Sequence, residues 1–384
     1  MHALERLASH MKERPSRIAE LRKAGTKVVG FFPGDYVPEE LIYAAGAIPV
    51  CLIHGGDTRP VDAALTATIR FLCPFSKAQY GEKALGEQPY YSMVDQLVAA
   101  ITCQHLRKSA DLWNFYTDTP VFRLGIPHEY DSDFGLRYYS DMLIMLRKRL
   151  QELTGNEVTD ARVREGIVLY NRMRSLLKDI SVSRKAAGSP LSALDFIKLN
   201  HASCYADPAF MVEVLTSLKK EIGSPGGFGG SDGRPRLLLL GPNVALGDYK
   251  VLELVEDAGG NVVIEELCEG VRYYWDGVEE GDGDVIGALA RKYLRRRLPP
   301  AFMRMATQKR FDFAMKLAQD FNVSGILWYQ LLYCDTYDIE AYWFAQKLAE
   351  RGIPMLVLES DYDASDRGPL KTRIQAFLET LGGR

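Results

Sequence analysis

Long apolar runs are missing from this sequence: nowhere do the roughly 20 consecutive apolar residues of a bilayer-spanning helix occur. The opening segment Met1-His2-Ala3-Leu4-Glu5-Arg6 leads into charged amphipathic sequence without an apolar signal core, so a cytoplasmic protein with no membrane role is expected. A basic surplus is missing too. The 47 Lys and Arg against 50 Asp and Glu leave a net charge of −3, which gives no global field to attract nucleic acid. No Gly-x-x-x-x-Gly-Lys-Ser/Thr phosphate loop occurs, and Gly281-Asp282-Gly283 lacks both the spacing and the preceding strand of a dinucleotide site. Any ATP chemistry must therefore reside on another protein. Cysteine is scarce: six residues in 384, with no Cys-x-x-Cys pair and no His-x-x-x-His. In a reducing compartment such thiols read as packed residues, metal ligands or nucleophiles before they read as disulfides.

What is present is ordinary globular composition, 47% apolar and 25% charged, over a length that suits two or three domains. Residues 4–24 carry an amphipathic helical pattern. Short β-rich runs at 27–32, 47–53 and 96–102 then alternate with helical patterns, and 135–182 is richly helical, broken at Thr154-Gly155, with Asp160 expected to cap the second part. The Gly-rich stretch 223–233 reads as a linker. Beyond it, runs at 236–241, 261–264, 324–330 and 354–359 alternate with helices. This predicts an α/β protein of two doubly wound parallel-sheet domains with a helical connecting region: an N-terminal domain and helical extension over 1–222, a linker over 223–233 and a C-terminal domain over 234–384.

In open α/β sheets ligands gather outside the carboxyl ends of the strands. Cys103 directly follows the run ending at Thr102, Cys334 follows the run that starts at Gly325, and Cys73 stands before Pro74, which excludes an ordinary central strand or helix interior. Three thiols in such places are either packing residues or convergent ligands. As ligands they suit zinc poorly, since structural zinc takes four ligands and catalytic zinc usually includes His or carboxylate. An iron–sulfur cubane accepts thiolates from distant loops, and three cysteines leave one iron for another group.

The segment from Tyr36-Val37-Pro38-Glu39-Glu40 to Gly46-Ala47-Ile48-Pro49 resembles the 2-hydroxyacyl-CoA dehydratase and benzoyl-CoA reductase superfamily. So do the isolated Cys73 and Cys103, the Tyr333-Cys334-Asp335 triplet, and the ending from Gly352-Ile353-Pro354 through Lys371 to Phe377. The resemblance implies a 4Fe-4S cluster held by Cys73, Cys103 and Cys334. It also implies a homologous second subunit or a homodimer, a separate ATP-hydrolysing iron–sulfur activator and an acyl-CoA substrate. The implied chemistry is radical loss of water from a 2-hydroxyacyl thioester, or the related reduction of an aromatic thioester. The alternatives are an electron-relay or scaffold subunit, a double-cubane-type reductase, and a non-redox protein with packed thiols.

The resemblance places Glu39 or Glu40 near the site as proton carrier. Pro33-Gly34-Asp35 stands where family members often have a small polar residue, which leaves the donor's identity open. His105, two residues beyond Cys103, is a further candidate donor. Cys51 and Cys204 read as structural, and Cys268 stands after its strand much as Cys103 does. The basic run Arg291 to Arg297 is either a solvated helix face or a partner for coenzyme A phosphates. Tyr273, Tyr274 and Trp275 suit a pocket or the core equally.

Overall fold

Runs such as Leu237-Leu238-Leu239-Leu240 have no polar alternation, so both faces of each must be covered, and parallel strands flanked by helices achieve this. The computed structural model describes residues 2–34, 36–186, 191–223, 233–281 and 283–382. It contains two four-stranded, all-parallel sheets. In the first, β1 (Val28–Phe31), β2 (Ile48–Cys51), β3 (Gln96–Ile101) and β4 (Val121–Gly125) run in the order β2-β1-β3-β4. In the second, β5 (Arg236–Leu240), β6 (Asn261–Glu266), β7 (Gly325–Leu331) and β8 (Met355–Ser360) run in the order β6-β5-β7-β8. The orders are the same once the strands are counted within each sheet. Gly30 pairs with both Val50 and Leu97, and Leu239 with both Glu265 and Leu327, so β1 and β5 are the central strands from which each chain steps to one side and then the other.

The doubly wound class is as expected from the sequence. Of the predicted linker 223–233, residues 224–232 lie outside the described residues. One strand has no sequence signal: β4 is an edge strand in which only Leu124 is fully buried and Arg123 is exposed, so it carries no apolar run. One cap is also corrected. Thr159, not Asp160, begins the helix Asp160–Ser183, its hydroxyl accepting the Arg162 N–H at 3.3 Å, while Asp160 sits inside the first turn paired to Arg147.

Along the chain, the helices Asp133–Thr154, Asp160–Ser183, Ala193–Ser203 and Pro208–Ile222 connect the first sheet to the second. The N-terminal helix His2–Lys23 reaches across to them, burying Ala3 and Leu7 in the core that also holds Leu176, Ile180 and Val214. The two halves touch directly where the loop after β2 meets the loop after β5. The Leu246 N–H donates to Ile53 O at 2.8 Å and the Gly55 N–H to Leu246 O at 3.0 Å. Gly56 (φ +79°) and Gly247 (φ +108°) permit this crossing, because a Cβ on Gly56 would stand 2.4 Å from the Gly247 carbonyl carbon. The carboxyl ends of the two sheets thereby face a common space.

Candidate functional site

Each of the three cysteines singled out by sequence is the N-cap of a helix, Cys103 and Cys334 directly after β3 and β7 and Cys73 in the long segment between β2 and β3. Cys73, with extended backbone, is the N-cap of Pro74–Leu85, and Pro74 supplies the fixed φ of a first helical turn. Cys103 caps Gln104–Tyr116, its Sγ accepting the Leu106 N–H at 3.4 Å. Cys334 caps Asp335–Ala349, and Tyr333 before it holds a left-handed φ of 66°, which turns the chain sharply out of β7. Three positive helix ends thus converge on one place.

That place is a cavity of about 80 Å³, several times what one water needs, lined by Cys73, Cys103 and Cys334 together with Cys268. Its walls are Pro33 and Gly34 after β1, Thr102 after β3, Pro242 and Asn243 after β5, and Leu331 in β7, with Phe75, Leu106 and Phe302 completing an apolar lining. These are the loops of the central strand pair in each sheet, where doubly wound folds bind their ligands. Burial pushes the Cys73 thiol up to about 12, and Cys103 and Cys334 are also raised, burial again the main cause. Without a metal all three are neutral thiols at neutral pH, and a metal would have to displace their protons. Among the described residues no three His, Cys, Asp or Glu side chains stand close enough to share a single ion. A cubane takes one thiolate per iron and asks for wider spacing, so the donor set fits a cluster better than a lone metal.

His105 does not line this cavity. Its Nδ1 accepts the Cys73 N–H at 3.3 Å and its Nε2 lies 3.8 Å from Asp335 Oδ2, so it braces the Cys73 loop against the Cys334 loop. Burial lowers its pKa, with Asp335 pulling the other way.

The two candidate carboxylates part company. Glu40 is wholly buried, accepts hydrogen bonds from Arg174 at 2.6 Å and Tyr293 at 2.8 Å, and lines neither cavity described here. Burial would raise its pKa, but Arg174 and Lys292 outweigh that and hold it low. Glu39 accepts from the Tyr273 hydroxyl at 3.0 Å and lies 3.6 Å from Arg174. Burial raises it to about 7 against the pull of Arg174. It lines a second, smaller cavity of about 20 Å³, beside Cys51, Cys204, Asn200 and Tyr273, which shares Pro33 and Cys268 with the first. The surroundings thus push the pKa values of two neighbouring carboxyl groups apart, the arrangement from which acid–base roles arise.

All six cysteines of the chain line these two adjoining cavities. Sequence reasoning sets Cys51 and Cys204 aside as packing residues; their strand and helix settings give no sign that the Cys51 N–H meets the Cys204 carbonyl at 3.4 Å. It also misses Asn243, on the wall of the larger cavity, and Arg272, whose Nη1 lies 3.3 Å from Cys268 Sγ. The basic run is spent internally. Arg291 and Arg296 pair with Glu279, Arg295 pairs with Asp133, and buried Arg297 donates to Gly34 O, fixing the loop after β1. Tyr273 serves the smaller cavity, whereas Tyr274 is core, its hydroxyl donating to Ser181 at 2.9 Å.

The model for the D-component of 2-hydroxyglutaryl-CoA dehydratase matches residues 35–381. The chain belongs to this family. YjiM of Escherichia coli strain K12, which is named as a dehydratase subunit, is 28% identical over 367 residues, 95% of this chain and 94% of its own. The (R)-phenyllactyl-CoA dehydratase beta subunit of Clostridium sporogenes is 22% identical, with 96% of each chain covered. A benzoyl-CoA reductase subunit of Thauera aromatica is 30% identical over 155 residues, 40% of this chain and 39% of its own. The 2-hydroxyglutaryl-CoA dehydratase D-component family is thus one of dehydratase and reductase enzymes, whose relatives here are named as subunits. Among the described residues no helix is long and apolar enough to cross a membrane.

Proposed function

We propose that this chain is the 4Fe-4S subunit of an acyl-CoA dehydratase-type enzyme, driven by a separate ATP-hydrolysing activator, with benzoyl-CoA reductase-type ring reduction as the closely related chemistry. One observation carries this: Cys73, Cys103 and Cys334, far apart in sequence, cap three helices that open on one apolar cavity. When bound there, the cluster supplies low-potential electrons and the Lewis acidity of iron.

The chain's own residues supply the rest. Three helix N-termini favour the negative charge that thiolates and sulfides bring. Phe75, Leu106 and Phe302 exclude water, which strengthens every electrostatic contact inside. Glu39, half-protonated near neutral pH, holds a proton at its carboxyl oxygens beside the smaller cavity. His105 keeps two ligand loops in register. A second reading, in which the chain relays electrons while a partner subunit holds the substrate, is favoured by the fourth cysteine at the cavity, Cys268.

Protein purified or reconstituted without oxygen is expected to be brown and to carry about four irons and four sulfides per chain. Cys73→Ala, Cys103→Ala and Cys334→Ala should each lose most of that iron, while Cys51→Ala and Cys204→Ala keep it. Colourless, iron-free wild-type protein would refute the proposal.

A further inference from the structure

We propose that the smaller cavity holds one ordered water, positioned by Asn200, which passes protons from Glu39 towards the larger cavity. The water and its positioning residue stand on the cavity itself; only the destination of the proton rests on the dehydratase reading above.

The size of the cavity suits a water. At about 20 Å³ it has room for one, which needs roughly 10–15 Å³, and too little for a substrate. Its lining suits a water too. Cavities that stay dry are apolar, whereas Glu39, Glu269, Asn200 and three cysteines line this one. Among them stands a donor that needs an acceptor. Asn200, on the helix Ala193–Ser203, is fully buried, and its amide nitrogen has no hydrogen-bond partner among the described residues. Such a group is costly unless water reaches it. A water that accepts from this nitrogen keeps a second lone pair for the Glu39 proton and has two protons of its own to pass on. The larger cavity adjoins, since Pro33 and Cys268 line both spaces. In the transfer, the O–H bond of protonated Glu39 breaks, and the water oxygen takes that proton and releases another. Hydroxide leaving a 2-hydroxyacyl thioester accepts the released proton and becomes water. No electron moves in this step, and Glu39 is left as the carboxylate. The groups that face Glu39 are Arg174 and Tyr170 from one helix, Glu40 from its own, and Lys292 and Tyr293 from the turn Arg291–Arg296. Tyr273 and Glu269 follow β6, and Cys51, Cys204 and Cys268 share the cavity. All of these stay the same when Asn200 is changed.

The test uses the full chain with Asn200→Leu, close in shape but without a donor, and Asn200→Ser, which keeps one, each with and without Glu39→Gln. The Ser203 hydroxyl donates to the Asn200 backbone carbonyl at 2.6 Å, so this bond at the helix end survives both changes. The infrared band of the protonated carboxyl is assigned at about pH 5 by its disappearance in Glu39→Gln. It should move to higher frequency in Asn200→Leu, where the carboxyl loses its bond to water, and stay in place in Asn200→Ser. The water also stabilises the carboxylate as a donor, so its loss raises the folded pKa further. The higher melting of Glu39→Gln at about pH 8 should therefore grow in the Asn200→Leu background, whereas a purely structural loss would lower both members of the pair alike. In the reconstituted enzyme Asn200→Leu should lose about a hundredfold in turnover with iron content unchanged, and Asn200→Ser should recover most of it. A crystal structure of the wild-type chain should show one water between Asn200 and Glu39. A cavity without that water overturns the proposal even if Asn200→Leu does not fold, and so do a band and a melting difference that Asn200→Leu leaves unchanged. A shifted band with full turnover overturns the relay. Wild type that takes up no iron but shows the water and the shifted band overturns the iron–sulfur reading and upholds the water site.

Discussion

Glu39 and Glu40 are adjacent in sequence, both buried and chemically identical, yet their surroundings assign them opposite work. Glu40 is the counter-charge of Arg174, and Glu40→Gln would leave a buried guanidinium without it, a loss expected to cost about 3–5 kcal/mol and to lower the thermal midpoint markedly. Glu39 behaves in reverse. Its pKa rises from 4.5 unfolded to about 7 folded, driven by burial against the pull of Arg174, so between those values the folded protein keeps a proton that the unfolded chain has lost. Its contribution to stability therefore falls as pH rises through that window. Glu39→Gln cannot ionise and should melt higher than wild type at about pH 8, with the difference gone at about pH 4. If Glu39 carries the proton, the same variant should lose turnover while retaining iron. A melting difference independent of pH would show that the carboxyl group is not titrating there. Sequence alone announces this pair through the Pro38-Glu39-Glu40 helix start, but it cannot divide the roles. Arg174, which divides them, lies 134 residues from Glu40 and looks like any helical arginine.

Among the elements, what is legible in the sequence follows physics that acts locally. Uniform apolar runs mark seven of the eight strands, and proline and glycine punctuate the helices. The features that escape are those decided by distant neighbours. An example is β4, whose side chains are only partly covered because it is an edge. Another is the π-helical turn Arg291–Arg296, which brings Lys292 and, just beyond it, Arg297 into the interior although their sequence reads as a solvated basic face. The crossing at Gly56 and Gly247 also belongs here, since no local pattern tells a glycine that must pass another loop from one that merely ends a turn. Gly56→Ala should force the loops after β2 and β5 apart. Far-UV circular dichroism should change little because both sheets keep their own hydrogen bonds, whereas iron content and the thermal midpoint should both drop. Full iron content in the Gly56→Ala variant would show that the crossing does not set the cavity.

At the scale of the whole molecule, the two sheets repeat one strand order without any visible repeat of residues, since chain connectivity and burial alone suffice to keep the winding. That is why the duplication is invisible in the sequence although the class is not. The relatives named as subunits point to an assembly. The chain, 43.1 kDa, is expected to run as a homodimer or to copurify with a homologous partner when the mass is measured without oxygen. A lone monomer, even when a homologous partner subunit is supplied, would contradict this.

The cavity draws its thiols from positions 73, 103, 268 and 334 of a chain of 384. Chains emerge from the ribosome N-terminus first, and domains fold as they become complete. The first two thiols are therefore exposed on a half-formed wall for most of the time of synthesis, and the last arrives only after β7, when the second sheet can close against the first. On the proposed iron–sulfur reading, iron has no finished place to go until Cys334 has been made. On that reading, cluster insertion follows the making of β7, and a factor that delivers the cluster acts on the folded two-sheet chain rather than on its nascent first half.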